Sequence, residues 1–113
     1  MKKKEIQVRC WVDIDGVKHF GTGRAQLLEL IQQTGSIAKA AKEMGMSYKK
    51  AWDMVAKMNE RGKKPYVITH KGGNKGGGTE VTETGKKILA SYQHLVNSIQ
   101  QLVETKTDLL KWI

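Results

Sequence analysis

Cysteine is nearly absent from this sequence, and so are the residue clusters that most catalytic and metal sites require. Cys10 stands alone among 113 residues, so no disulfide can form within the chain, which suits a reducing cytoplasm. The three histidines are far apart in dissimilar segments, and no cysteine or carboxylate cluster accompanies them: His19, His70 and His94. We therefore expect no metal site, no cofactor and no catalytic residues. An enzyme is the least supported class.

Long apolar runs are also missing. No stretch approaches the roughly 18 apolar residues that a membrane span needs. Residues 2–5 are charged, and no apolar segment follows them as in a secretory signal. The sequence thus predicts a cytoplasmic protein without a membrane partner.

Positive charge is abundant and concentrated in one region. The formal net charge is +9. Residues 36–87 hold twelve Lys/Arg against five Asp/Glu, a net +7, whereas residues 88–113 are neutral with two of each. Such a local excess favours phosphate, and so nucleic acid, as a partner.

The charged region begins with two short predicted helices over about residues 36–61. Ser36 and Ser47 are good N-caps, because a serine hydroxyl accepts a hydrogen bond from a free amide in the first helical turn. Gly45 lies between the helices, where the chain needs a positive φ. This layout predicts a helix-turn-helix, in which the second helix enters the DNA major groove. An ordinary helical hairpin of a small domain is the alternative.

A β-hairpin and one helix are predicted before this motif. Residues 6–14 alternate, with one face expected to be buried: Ile6, Val8, Cys10, Val12 and Ile14. Asp15-Gly16 predicts a tight turn into residues 17–20. An amphipathic helix over about residues 24–34 follows, with Thr22 as a possible cap and Gly35 at its end.

After the motif, the order strand, glycine-rich loop, strand predicts a β-hairpin wing over about residues 66–82. Residues 71–78 contain five glycines, too many for a regular element. A flexible linker is the alternative. A P-loop is excluded, since no Gly-Lys-Ser/Thr ending is present and a strand follows.

From about residue 83 to 113 the sequence predicts one long helix capped by Thr82 or Thr84. Apolar residues recur at spacings of four and three, the seam of a coiled coil or helix pair. The residues we expect at a two-fold dimer interface are Tyr92, Leu95, Ile99, Leu102 and Leu109. The alternative is that the helix folds back onto its own N-terminal hairpin. Lys106 interrupts the seam, so a bend is expected near the end.

Together these elements predict a mainly α single domain over residues 1–113, a winged helix-turn-helix with small β-hairpins. The chain closely resembles the N-terminal DNA-binding domain of molybdate-responsive ModE-type transcriptional regulators. The matching stretches are residues 14–16, 20–23, 35–37, 40–41, 45–52 (Gly-Met-Ser-Tyr-Lys-Lys-Ala-Trp), 71–73, 76–78 and 82–85. The resemblance implies a winged-helix fold, dimerisation through flanking helices and operator binding in a prokaryote.

In one respect the sequence departs from the pattern of that family. Its full-length members carry a C-terminal pair of small β-barrel domains that bind molybdate, and no such segment stands in this sequence. We therefore expect no molybdate site within the chain. A role in regulating molybdenum uptake is implied by the resemblance alone.

The helix-turn-helix template assigns candidate DNA-binding residues. From the motif they are Ser36, Ser47, Tyr48, Lys49, Lys50, Trp52, Asp53 and Lys57; from the wing, Lys71, Asn74 and Lys75. Lysine can donate to guanine or phosphate, and Tyr48 can donate to a phosphate or pack on a thymine methyl. Asp53 can accept from cytosine, but pairing with a lysine of its own helix is favoured. The template points Trp52 toward DNA, whereas its chemistry favours the core.

The function that we predict is a homodimeric regulator that binds double-stranded operator DNA, with no ligand-sensing domain of its own. An architectural, nucleoid-type protein with little sequence preference is one alternative. A winged-helix module that binds a protein partner is another.

Overall fold

The computed structural model describes residues 2–70 and 78–113. Its elements are β1 (Val12–Ile14), β2 (Val17–Phe20), α1 (Thr22–Thr34), α2 (Ile37–Glu43), α3 (Tyr48–Arg61), β3 (Val67–His70), β4 (Gly78–Val81), α4 (Glu83–Thr105) and a short 3-10 helix, Asp108–Trp112. Each pair of consecutive strands forms a two-stranded antiparallel sheet. The predicted fold class is confirmed: a mainly helical winged helix-turn-helix with two small hairpins. Among the described residues, no helix is long and apolar enough to cross a bilayer.

The helix-turn-helix has the predicted caps. The Ser36 hydroxyl accepts from the Lys39 amide, and the Ser47 hydroxyl accepts from the Lys50 amide, both at 3.1 Å. Gly45 has φ +68°, a conformation that costs a side chain but not a glycine. The sequence therefore determines both where α3 begins and how sharply the chain turns into it.

The core lies where α1, α2 and α3 cross. Leu27, Leu28 and Ile31 of α1 are fully buried, together with Phe20 from β2 and Met58 from α3. Small side chains stand at the close crossings of the motif helices, since Ala40, Ala41 and Ala51 are also buried. This packing holds α3 by one face and leaves its other face at the surface.

The two arms of the predicted wing are present as β3 and β4. They pair in register from Val67 opposite Val81 to His70 opposite Gly78. The Thr79 amide donates to the Gly35 carbonyl at 3.0 Å, which ties β4 to the end of α1. The wing residues predicted to contact DNA lie outside the described residues: Lys71, Asn74 and Lys75.

The predicted N-terminal strand is wrong for most of its length. β1 covers only Val12–Ile14, and residues 2–11 form no regular element. The expected apolar face is not buried either, because the Val8 side chain is 50% exposed and Val12 is also exposed. An alternating pattern indicates an amphipathic strand but does not show that a neighbouring strand is there to pair with it. Because β2 is only four residues long, it can pair with only a short part of residues 6–14.

The long C-terminal helix ends earlier than predicted. Thr82 is its N-cap, accepting from the Gly85 amide at 3.0 Å, and the helix ends at Thr105. Lys106 leaves the helical conformation, at the position where the seam is interrupted. The cap predicted for the first helix is also different, since Gly21 precedes α1 and Thr22 is its first residue.

Tyr92 belongs to the core of its own domain, which corrects its placement at a dimer interface. It is 7% exposed and packs edge-on against Phe20, with ring centroids 5.3 Å apart. Its hydroxyl donates to the Cys10 carbonyl at 2.6 Å and lies 3.1 Å from the Thr22 hydroxyl. The first part of α4 therefore folds back onto the N-terminal region, as the alternative interpretation expected.

Candidate nucleic-acid interface

One side of α3 is packed and the other is free. Ala51, Val55 and Met58 are buried, and they share the inward side of the helix. Tyr48 and Trp52, four residues apart, have 55% and 50% of their surface exposed. Trp52 is therefore a surface residue, and the inward face is filled without it. The core position that the chemistry of Trp52 favoured is therefore wrong.

A basic row lies along another edge of α3. Lys50 and Lys57 are seven residues apart, two helical turns, so they stand nearly one above the other. They border a shallow groove between α3 and α1 that is lined by Arg24, Ser47, Lys49, Lys50, Asp53, Met54 and Lys57. Four cationic side chains thus surround one concave strip of surface. Such a strip fits the phosphate backbone of a nucleic acid.

Arg24 is a member of this strip that sequence reasoning missed. It stands in the first turn of α1, where no motif points to it. Its guanidinium donates to the backbone carbonyls of Lys18 and His19, which holds it between the N-terminal hairpin and α3. Partial burial, and then the neighbouring Arg61, lower the pKa of Arg24, but an arginine remains charged at neutral pH.

Asp53 does not form the intrahelical ion pair that was favoured. Among the residues that the structure describes, no lysine or arginine nitrogen lies within 4.0 Å of its carboxylate. The spacing to Lys49 and Lys57 allows a pair, but exposed lysines gain little by being fixed in one rotamer. The carboxylate stays at the groove wall as an acceptor.

The two predicted serines use their hydroxyl oxygens within the fold. Ser36 and Ser47 each accept an amide of the following helical turn. Ser36 is further held by Thr34, whose hydroxyl accepts from the Ser36 amide at 3.2 Å. Ser36 and Ser47 fix the residues at which α2 and α3 begin. Ser47 also lines the groove.

Asn59 is the second residue that sequence reasoning missed. Its side-chain oxygen accepts from the amides of Tyr66 and Val67 at 2.8 and 3.1 Å, and its nitrogen donates to the Val67 carbonyl at 2.8 Å. These three bonds fix β3 directly onto α3. Asn59 thus supplies the side-chain link between α3 and β3, beside the backbone bond that ties β4 to the end of α1.

A buried His19–Tyr66 pair lies beneath this junction. The Nε2 atom of His19 is 2.9 Å from the Tyr66 hydroxyl, and the ring is 3% exposed. Burial, followed by the charges of Arg24 and Arg61, lowers the pKa of His19 below its usual 6.5, so the ring is neutral at pH 7. Burial raises the pKa of Tyr66. Both groups thus act as neutral hydrogen-bonding partners, and no described residues form a metal-binding cluster of His, Cys, Asp or Glu.

The chain is similar to curated proteins named ModE, MopA and MopB. The chain is 37% identical over 110 residues, 97% of its length, to the molybdenum transport protein ModE of Azotobacter vinelandii. It is 41% identical over 86 residues, 76% of its length, to the molybdenum-pterin-binding protein MopB of Rhodobacter capsulatus. It is 35% identical over 85 residues, 75% of its length, to the DNA-binding transcriptional dual regulator ModE of Escherichia coli K12.

The matched region is only part of each of these proteins. The chain spans 41% of the Azotobacter protein and 32% of each of the other two. No family model matches the chain.

Proposed function

The chain belongs to the ModE family over the residues it shares with these relatives, and on that basis we propose that it is a DNA-binding transcriptional regulator. The observation that carries the proposal is the free side of α3. Its exposed aromatic residues, Tyr48 and Trp52, stand beside the basic strip of Lys49, Lys50, Lys57 and Arg24. A helix of this kind, braced by α2 and flanked by a wing, suits the major groove.

We assign different tasks to the two edges of α3. Lys50, Lys57 and Arg24 face the phosphate backbone and set the depth and register of the helix. Tyr48, Lys49 and Trp52 lie in the first half of α3, where base edges are met in helix-turn-helix proteins. The wing, held to α3 by Asn59, extends the contact to the adjacent backbone.

We further propose that the protein acts as a homodimer through α4. Beyond Tyr92 the helix carries large apolar side chains that its own chain leaves exposed: Leu95, Val96, Leu102 and, in the 3-10 helix, Leu109. Leu95 and Leu102, seven residues apart within α4, have the spacing of a helix-pairing seam. A two-fold pair of chains would cover this surface and place two α3 helices on one duplex.

Replacement of Leu102 by glutamate should convert the protein to a monomer. Leu102 is 58% exposed in the single chain, so the substitution leaves the domain folded but places a charge in the proposed interface. Sedimentation equilibrium should then give the mass of one 12.7 kDa chain, against two for the natural protein. Gln101→Glu, the exposed neighbouring position, is the control and should remain dimeric. A monomeric natural protein would contradict this part of the proposal.

Selection from fragmented genomic DNA tests the function as a whole. The protein is incubated with the fragments and an excess of random competitor DNA, and the retained fragments are sequenced. A regulator should enrich a few sites built as short inverted repeats, one half-site for each chain of a dimer. Retention without enrichment would favour the architectural alternative. No retention at low salt would favour a protein-binding module.

The names of the relatives suggest which genes are concerned. Several of these proteins are named for molybdenum transport or molybdenum-pterin binding. We propose that the genes beside the selected sites serve molybdenum metabolism. Enriched sites beside unrelated genes would show that this chain regulates different genes from those its relatives' names suggest. The proposal that it binds DNA would still stand.

A further inference from the structure

We propose that Tyr48 and Trp52 read the 5-methyl groups of thymine in the major groove. The inference rests on the proposed DNA-binding function and adds a base preference and the chemistry behind it. It starts from two large aromatic side chains, each at least half exposed, on the helix that would enter the groove.

The two rings form one continuous apolar edge. Residues four apart on a helix differ by about 40° around its axis, so Tyr48 and Trp52 are neighbours on one flank. Asn59, seven residues after Trp52, lies on nearly the same line and binds β3. The aromatic edge therefore borders the wing, whereas Lys50 and Lys57 occupy the opposite border of the free side.

The side chains that usually read adenine are either absent from α3 or already bonded to β3. Adenine is typically bound by a bidentate asparagine or glutamine. The helix contains no glutamine, and its one asparagine, Asn59, is committed through both amide atoms to β3. Its only arginine is Arg61, in the last turn and beside Arg24 and His19.

The thymine methyl is then the feature of an A·T pair that these residues can recognise. In the major groove it is the one apolar group that a base pair presents, and apolar side chains bind it by contact. The aromatic edge supplies such contact area, and a half-buried Ala56 continues it one turn further along α3. The lysines beside it would hold the phosphates, which favours a duplex over a protein as the partner.

Deoxyuridine substitution tests this inference directly, because it removes only the methyl group. Sites found by the genomic selection are synthesised with single thymines replaced by deoxyuridine, and dissociation constants are measured with the natural protein. At one or two positions in each half-site the affinity should fall about three- to fivefold, the equilibrium equivalent of burying one methyl-sized group. Other positions should be unaffected.

Variants connect the effect to the two side chains. Trp52→Ala and Tyr48→Ala should each bind the thymine site more weakly, and each should lose the deoxyuridine effect at the position that its own ring contacts. Trp52→Leu, which keeps an apolar surface, should retain part of the discrimination. Trp112→Ala is the control, since this tryptophan is 86% exposed in the C-terminal 3-10 helix, away from α3, and should behave as the natural protein. Circular dichroism should show all four variants folded.

Three results would overturn the inference. Equal affinity for thymine and deoxyuridine sites at every position would remove methyl recognition while DNA binding stands. Loss of binding in Trp52→Ala and Tyr48→Ala with the full deoxyuridine effect retained would assign the methyl contact elsewhere. Absence of any DNA binding by the natural protein would defeat the proposed function, and this inference with it.

Discussion

A Gly85→Ala variant is expected to unfold at least about 10 °C below the natural protein, or not to fold. Gly85 lies in the first turn of α4, against the start of β3. A Cβ atom there would stand 2.3 Å from the Tyr66 carbonyl oxygen and 2.7 Å from a methyl of Val81. The same Tyr66 oxygen accepts a hydrogen bond from the Thr82 amide at 2.9 Å. It therefore cannot move away from the new Cβ atom without losing that hydrogen bond. Overpacking typically costs about 1–3 kcal/mol, and a clash with backbone that is already hydrogen-bonded stands at the upper end of that range.

The matched control for this substitution is Gly23→Ala. Gly23 is also in the first turn of a helix, but a Cβ atom at that position meets nothing within 4 Å. Alanine is the better helix former by up to about 1 kcal/mol, so the control should be unchanged or more stable. Thermal unfolding followed by circular dichroism measures both. A Gly85→Ala protein as stable as Gly23→Ala would show that β3 does not press on α4 as described.

Removal of two lysines from α3 should have the largest effect on DNA binding. The Lys49→Ala, Lys50→Ala double variant is expected to bind duplex DNA at least about tenfold more weakly. The slope of log K against log salt should fall by one to two units, about one for each lost phosphate contact. Both side chains are exposed, and the Ser47 cap uses the Lys50 backbone amide, so the fold should be retained.

The control for charge is a second double variant with the same net change, Lys3→Ala and Lys111→Ala. These lysines stand near the two chain ends, which lie together, since Lys4 donates to the Ile113 carbonyl at 2.7 Å. If binding depends only on net charge, both double variants should weaken it equally. Binding through α3 predicts that only the first does so. A salt titration of each protein on the same duplex makes the comparison, and unchanged affinity and slope in the first variant would remove Lys49 and Lys50 from the interface.

Much of the fold was predictable because its signals are local. A serine cap, a glycine with positive φ and an apolar helical face each act within one or two turns of chain, and α2, α3 and the arms of the wing appear close to the predicted positions. The prediction of the N-terminal strand was wrong because strand pairing depends on residues outside the segment. Residues 6–14 carry a correct alternation, but a strand also needs an edge to pair with, and no pattern within the segment reports whether one is there.

The residues of the candidate site also fall into two groups, those predictable from local sequence and those placed by contacts between distant segments. The lysines and aromatic residues of α3 follow from its sequence, since helical periodicity places them once the inward face is known. Arg24 and Asn59 are brought to the site by contacts between segments distant in sequence, as is Tyr92 to the core. Their roles depend on where α1, β3 and the N-terminal segment pack, and single residues in those segments carry no sign of it.

The capped helix-turn-helix, its basic second helix, the two arms of the wing and the long amphipathic helix can all be predicted from sequence, because caps, turns and periodicity are properties of neighbouring residues. The exposure of Trp52, the burial of Tyr92 and the link from Asn59 to the wing follow from the packing of the folded chain. Burial depends on which surfaces meet, and that is a property of the whole packed chain.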